Sequence, residues 1–308
     1  MKYIKNTMDF SVPDDTAVTL GKFDGIHKGH RHLLRFLEEK KSAGLTSVIF
    51  TFDAPPAWRV GGGQTEKVLT TNQEKARLFE QCGVDVLLEC PFTKEVRSME
   101  PEAFIQMLAE RLHVKSFVVG TDFRCGHGRK GDYRLLQSCS GAYGYDVKVV
   151  GKALADGREI SSTYIREELM AGRVGQAGRL LGYPYFVQGE VVHGNEIGRT
   201  LNAPTANLLP PREKLLPPFG VYVTRAEVDG RAYGGITNVG RKPTIAGDSP
   251  VGVETHLFDF SAWIYGKEMK VEFLKAVRPE RKFASLEELK SQMAEDMAYG
   301  RRCLAGLR

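Results

Sequence analysis

Ala17-Val18-Thr19-Leu20 is followed by Gly21-Lys22-Phe23-Asp24-Gly25-Ile26-His27-Lys28-Gly29-His30, and then by a run from His30 to Lys41 with Leu33, Leu34 and Leu37 on one side. The order is strand, glycine-rich loop, helix. Glycines at Gly21 and Gly29 let backbone amides approach an anion. The start of a helix supplies unpaired N–H groups and a dipole that favours negative charge. His27 and His30 flank Gly29, and two imidazoles there can donate hydrogen bonds to charge building up on a polyphosphate during transfer. The plainer alternative is a turn carrying two exposed histidines. A single histidine would favour it, but the strand, the His-x-Gly-His loop and the helix in that order favour phosphate binding.

Working outward, the first half keeps alternating. Strands are expected at Ser47–Phe52, Val84–Leu88, Ser116–Val119 and Tyr145–Val150, and helices at Asn72–Cys82 and Pro101–Leu112, with Pro101 suited to a first helical turn. Such alternation predicts an α/β unit with a Rossmann-like parallel sheet covered on both faces, which binds ligand at the carboxyl ends of its strands. Val118-Val119-Gly120-Thr121-Asp122-Phe123-Arg124-Cys125-Gly126, with Gly131-Asp132 beyond, falls at such an end. Ile160-Ser161-Ser162-Thr163-Tyr164-Ile165-Arg166 follows the last strand. Ser162 and Thr163 can cap the next helix and offer hydroxyls to phosphate, and Arg166 can fork onto phosphate oxygens. Plain N-capping is the commoner use of serine and threonine, and the two uses are compatible.

From about Tyr185 the pattern becomes strands, glycines and turns: Phe186–His193, Val221–Val228, Arg231–Val239, Val253–Asp259 and Met269–Ala276. Val228-Asp229-Gly230-Arg231 is a hairpin signal. A small β-barrel is expected, closed by a terminal helix starting near Ser285 with Leu286, Leu289 and Met293 inward. The expected domains are 1–183 and 184–308. Gly189-Glu190-Val191-Val192-His193-Gly194 leads to Gly198-Arg199 and Ala203-Pro204-Thr205-Ala206-Asn207. Thr205 and Asn207 offer a hydroxyl and an amide oxygen beside a glycine-rich loop, although Pro-Thr-Ala-Asn in isolation reads as a turn. Glu254, in Val253-Glu254-Thr255-His256-Leu257, is either a solvated outer-face carboxylate or a general base; the strand by itself favours the former.

The bulk composition narrows the class. The chain has 308 residues, 42% hydrophobic and 26% charged, with a net charge of +5. No basic run suggests a nucleic-acid arm. No stretch approaches the roughly 20 apolar residues of a membrane span. The N-terminus shows no apolar core of leader type. Cys82, Cys90, Cys125, Cys139 and Cys303 form no Cys-x-x-Cys, so neither a disulfide framework nor a zinc site is expected. A cytoplasmic protein with no membrane, nucleic-acid or obligate protein partner is the expectation.

Taken together, the three motifs of the first half resemble the FMN adenylyltransferase module of the bacterial FAD synthetases, within the His-x-Gly-His nucleotidylyltransferases. The second half resembles riboflavin kinase, through Pro204-Thr205-Ala206-Asn207, Phe219-Gly220-Val221-Tyr222, Asn238-x-Gly240-x-x-Pro243-Thr244, Glu254-x-His256-x-x-Asp259-Phe260, Tyr265-Gly266-Lys267 and Arg278-x-Glu280-x-Lys282-Phe283. The resemblance spans about residues 15–300. It implies ATP, riboflavin and FMN as substrates, FAD as product and Mg²⁺ as cofactor. It implies that His27, His30 and Arg166 act in adenylyl transfer, and that Gly21, Phe23, Asp24, Gly29, Asp122, Ser162 and Thr163 bind the nucleotide. It implies Mg–ATP binding by Thr205 and Asn207, nucleotide binding by Gly198 and Asn238, and Glu254 as the base for the riboflavin 5′-hydroxyl. Three departures stand out: Phe52-Asp53-Ala54-Pro55-Pro56 lacks the family's histidine, Cys125 replaces an aromatic, and Asn202-Ala203 replaces Gly-Phe. The alternatives are one silent half acting as a flavin-binding scaffold, or a flavin sensor that turns over no ATP.

Overall fold

Six strands form the first sheet: β1 (Lys2–Lys5), β2 (Thr16–Leu20), β3 (Thr46–Phe52), β4 (Val86–Cys90), β5 (Val114–Gly120) and β6 (Asp146–Val150). Every neighbouring pair is parallel, in the order β1-β4-β3-β2-β5-β6. After β2 the chain builds outward on one side through β3 and β4, then returns to lay β5 and β6 on the other. The carboxyl end of β2 is therefore a topological switch point, where an open α/β sheet leaves a crevice. The loop 21–29 begins there. The computed structural model of the chain describes residues 1–53, 67–193, 205–241 and 251–306. Its contacts divide it into two compact units, Met1–Ser162 and Thr163–Arg308.

Helices cover both faces of the sheet, as the apolar runs of β2 to β5 require. On one face Val18, Val48, Phe50, Leu88, Phe117 and Val119 pack with Phe104, Ile105 and Leu108 of one helix and Leu136 of another. The other face carries α1 (Lys28–Ser42), whose buried Leu34 and Leu37 lie against β2 and β3. Next comes α2 (Asn72–Gln81), which begins in a complete capping box: Thr71 Oγ1 accepts from Glu74 N, and the Glu74 carboxylate accepts from Thr71 N. Along the chain follow α3 (Lys94–Ser98), α4 (Pro101–Arg111) and α5 (Tyr133–Tyr143), then the short hairpin β7 (Leu154–Ala155) and β8 (Arg158–Glu159).

The second unit holds most of α6 (Ser162–Met170), then α7 (Val174–Leu181) and a barrel. The barrel strands are β9 (Tyr185–Val192), β10 (Thr205–Leu208), β11 (Gly220–Val228), β12 (Arg231–Arg241), β13 (Val251–Leu257) and β14 (Glu268–Pro279), closed in the order β10-β13-β12-β11-β14-β9. The contact division comes earlier than the change of sequence character near residue 184, because α7 lies on β9 and β14. Asp229 and Gly230 both have positive φ, 51° and 72°, so the β11–β12 turn is the type that matches strand twist. Inside the barrel the hydroxyls of Thr224, Thr237 and Thr255 form a chain at 2.8 and 2.9 Å, which satisfies polar groups that are otherwise buried.

Two expectations change. Pro-Thr-Ala-Asn in isolation reads as a turn, yet Thr205–Leu208 is the strand that closes the barrel by pairing with both β9 and β13. The terminal helix α8 (Leu286–Ala305) leaves Leu286 exposed, while Leu289 and Met293 are half-buried. Its covered face instead turns on Asp296, ion-paired to Arg278 at 2.8 Å, and on Gly300, where a Cβ would come within 2.7 Å of Ile236.

Candidate active sites

In the first unit the loop after β2 is built to present two imidazoles. His27 is the N-cap of α1, and its Nδ1 accepts from the His30 backbone N–H at 3.3 Å. An accepting Nδ1 puts the proton of the neutral ring on Nε2, leaving that N–H available to a ligand. The two rings stack, with centroids 3.7 Å apart and 18° between planes. Gly29 lies between them because a Cβ there would stand 3.0 Å from the His27 ring. Burial, opposed in part by Asp122, lowers His27 to about 4. Burial and the charges of His27 and Lys75 also push His30 well below its ordinary value. Both rings are therefore neutral N–H donors at ordinary pH.

The remaining loop residues hold this pair in place. Phe23 is almost wholly buried, in left-handed backbone (φ 49°), with its ring 5.1 Å from His30 and 5.3 Å from Phe79. Asp24 is buried and turned inward, its Oδ1 accepting from Leu69 N at 2.8 Å and Thr70 N at 3.1 Å. Gly21 donates its N–H to Phe50 O. Ser162 Oγ donates to Asp24 O at 2.9 Å, and Ile160 O lies beside Gly29, so the 160–162 segment passes over the histidine loop. Asp122 is exposed at the end of β5, 3.8 Å from Lys152, and its charge reaches His27. Thus loop 21–30, Asp122 and Ser162 converge in the structure. Thr163 is exposed and Arg166 half-buried on α6. Cys125 packs inward in the apolar cluster against Gly131.

In the second unit three adjacent strands bring the expected residues into one row. Asn207 on β10 pairs with Glu254 on β13, and Glu254 pairs with Asn238 on β12. Val253, Thr255 and Leu257 point into the barrel, so Glu254 is on the opposite face, half-buried. Thr205 Oγ1 donates to Glu254 Oε1 at 2.6 Å. The carboxylate is therefore held beside a threonine hydroxyl and a buried asparagine, a better-defined setting than a solvated outer face. Gly198, Asn202-Ala203, Pro204, Pro243-Thr244 and Ala54-Pro55-Pro56 lie outside the described residues.

Two groups of side chains escaped the sequence reading. One is Lys75 with Glu89, both buried, Lys75 on α2 and Glu89 on β4. The helical spacing of Lys75 with Leu78 and Phe79 could have shown that it shares their covered face. The other is an aromatic shelf at the end of β9: His193 stacks on Tyr265 at 3.9 Å, and the exposed Trp263 meets the Tyr265 ring edge-on at 4.7 Å.

Comparison with known proteins covers both units. The FAD synthetase family profile matches residues 9–164 and the riboflavin kinase profile matches residues 181–304. A bifunctional riboflavin kinase/FMN adenylyltransferase of Escherichia coli strain K12 is 38% identical over 96% of this chain and 96% of its own length. Its counterpart from Bacillus subtilis is 36% identical over 95% and 94%. A crystal structure described as a macrolide-efflux protein from Streptococcus pneumoniae superposes with a TM-score of 0.86, at 32% identity over 96% of both chains. Among the described residues of this chain, no helix is long and apolar enough to cross a membrane.

Proposed function

We propose a division of labour for this chain, which belongs to the bifunctional riboflavin kinase/FMN adenylyltransferase family: the histidine loop carries adenylyl transfer and the Glu254 row carries phosphorylation. The two activities are phosphorylation of riboflavin to FMN by ATP and adenylylation of FMN to FAD. Residues 1–183 are assigned to the second reaction and 184–308 to the first.

In adenylyl transfer an oxygen of the FMN phosphate attacks the α-phosphorus of ATP, the bond to the β-phosphate oxygen breaks, and pyrophosphate leaves. No proton has to be taken from the attacking phosphate, so the protein acts by positioning and by stabilising charge. The stacked histidine pair supports this reading: Nδ1 of His27 is used as a cap, which leaves Nε2–H to donate to phosphate oxygen. Ser162, Thr163 and Arg166 at the start of α6 and Asp122 at the end of β5 are the groups assigned to orient ATP. Phe23, Asp24 and Gly29 serve by shaping the loop, and Gly21 by letting it approach the nucleotide.

In the kinase reaction Glu254 takes the proton of the riboflavin 5′-hydroxyl as that oxygen bonds to the γ-phosphorus and ADP departs. The 2.6 Å contact between Thr205 and Glu254 is the observation that carries this half. Thr205 and Asn207 fit Mg²⁺, since hard oxygen donors suit it and the Thr205 hydroxyl, with its hydrogen on Glu254, keeps lone pairs free. Mg²⁺ would neutralise charge between the phosphates of ATP. Asn238, beside Glu254, and Gly198 complete the assigned nucleotide contacts. The test is a product assay with ATP and Mg²⁺, supplied with riboflavin in one arm and FMN in the other. FMN and FAD from riboflavin, and FAD from FMN, are expected; no product in either arm would overturn the reading.

A further inference from the structure

Lys75 is 6% exposed, on the second turn of α2. Among the described residues its ammonium makes one hydrogen bond, 3.4 Å to Asn72 Oδ1, and no ion pair within 4.0 Å. Burying a cation with so few partners costs stability, whereas the long stem of a lysine commonly lets its charged head reach water. The helix that carries it is fastened to the histidine loop at several points. Asp24 holds the Leu69 and Thr70 amides just before the α2 cap, and Gly25 N donates to Thr70 Oγ1 at 3.0 Å. Phe79, one turn beyond Lys75 on the same face, meets the Phe23 ring, and Phe23 meets His30.

The groups around Lys75 come from the carboxyl ends of three adjacent strands: Asp24 after β2, Asp53 after β3 and Glu89 on β4. Several polar atoms here are buried and unpartnered among the described residues. They are Thr19 Oγ1, Thr51 Oγ1, Glu89 Oε2 and His30 Nδ1. Thr51 stands directly opposite Glu89 in the β3–β4 register. Native proteins leave few such atoms, and clusters of them mark functional strain or networks. Burial is the main cause that holds His30 below its ordinary value, and a protonated His27 and the charge of Lys75 add to it. Asp122 reaches His27 in turn.

We propose that Lys75 is a positioning residue for adenylyl transfer, its buried ammonium acting on the covered Nδ1 edge of His30 so that the ring carries its one proton on Nε2, toward substrate. A cation on the inner side disfavours a proton on Nδ1, whether in the neutral ring or in the imidazolium. The outer nitrogen is then the donor, matching the arrangement that capping imposes on His27. Burial lowers Lys75 below its ordinary value, and Glu89, Asp24 and Asp53 oppose that and favour its charged form, none of them pairing with it within 4.0 Å among the described residues. This inference rests on the assignment of adenylyl transfer to the histidine loop.

The test uses the full chain with FMN, ATP and Mg²⁺, comparing wild type with Lys75→Met, Lys75→Arg, Lys75→Met/Glu89→Gln and His30→Ala. Lys75→Met is expected to lower kcat for FAD formation about 10- to 100-fold, with KM for FMN and ATP changed less than about threefold. The acid limb of its pH profile should move to higher pH, because removing a cation eases protonation of His30. Lys75→Arg should recover most of the rate. The double variant, which also removes the Glu89 charge and guards against a Lys75→Met chain that fails to fold, should stay slow with the same moved limb. The inference is overturned by FAD formation within about twofold of wild type in folded Lys75→Met, by a loss confined to KM, by an unmoved acid limb, or by full recovery in the double variant. Full activity in His30→Ala would instead overturn the histidine assignment itself.

Discussion

Gly29→Ala separates stability from catalysis at the histidine loop. Gly29 is the second residue of α1, where alanine favours the helix by about 1 kcal/mol over glycine. The added Cβ would stand 3.0 Å from Cε1 and Nδ1 of His27, so the ring must shift. That shift weakens the cap hydrogen bond to His30 N, whose loss costs about 1 kcal/mol. The two effects offset, and the unfolding free energy should change by less than about 1 kcal/mol. Catalysis has no such compensation: the ring gives by a few tenths of an ångström, and since about 1 Å of misplacement costs roughly 100-fold, FAD formation should slow about three- to tenfold. Thermal unfolding would check the first expectation. Conversion of FMN to FAD would check the second, with conversion of riboflavin to FMN as an internal control expected to hold steady. A folded Gly29→Ala protein that makes FAD within about twofold of the wild-type rate would refute the argument that the gap at Gly29 exists for the His27 ring.

Asp24→Ala should destabilise the protein by about 2–4 kcal/mol, since the buried amides of Leu69 and Thr70 lose a charged acceptor, and it should slow FAD formation more than FMN formation; urea unfolding and the paired product assays measure these. The depressed histidines also predict a pH dependence of stability. His27 titrates near 4 in the folded chain against an ordinary value of 6.5, so between those limits the unfolded chain binds more protons than the folded one. Stability therefore falls as pH drops from 6.5 toward 4, by at most about 1.4 kcal/mol per pH unit for each such histidine, and His27→Ala should flatten that slope in urea titrations at stepped pH.

The alternation of apolar runs and helical spacing was enough to expect the parallel sheet, because strands buried on both faces must be apolar along their whole length. Asp229-Gly230 marked its hairpin for an equally local reason, the positive φ that the turn requires. β1 was missed because Lys2–Lys5 is short and half-polar, and its identity as a strand depends on pairing with β4, some eighty residues away. Pro204-Thr205-Ala206-Asn207 reads as a turn for the same reason: only closure of the barrel makes Thr205–Leu208 a strand. At the histidine loop, the sequence names candidate residues without showing how each side chain is directed. Asp24 and Phe23 sit in the motif with His27 and His30, yet one is turned onto backbone amides and the other lies under a ring. Lys75 reads as an ordinary helix lysine until α2 is docked and the side chain proves to be covered.

The central claim is that two chemistries reside in two separate sets of residues. The most direct test measures both products from a reciprocal pair of variants in the full chain, Glu254→Ala and His30→Ala, each supplied once with riboflavin and once with FMN. The account predicts that Glu254→Ala makes no FMN from riboflavin but still converts supplied FMN to FAD. It predicts that His30→Ala makes FMN from riboflavin and stops there. Loss of both activities in a folded Glu254→Ala protein would contradict it.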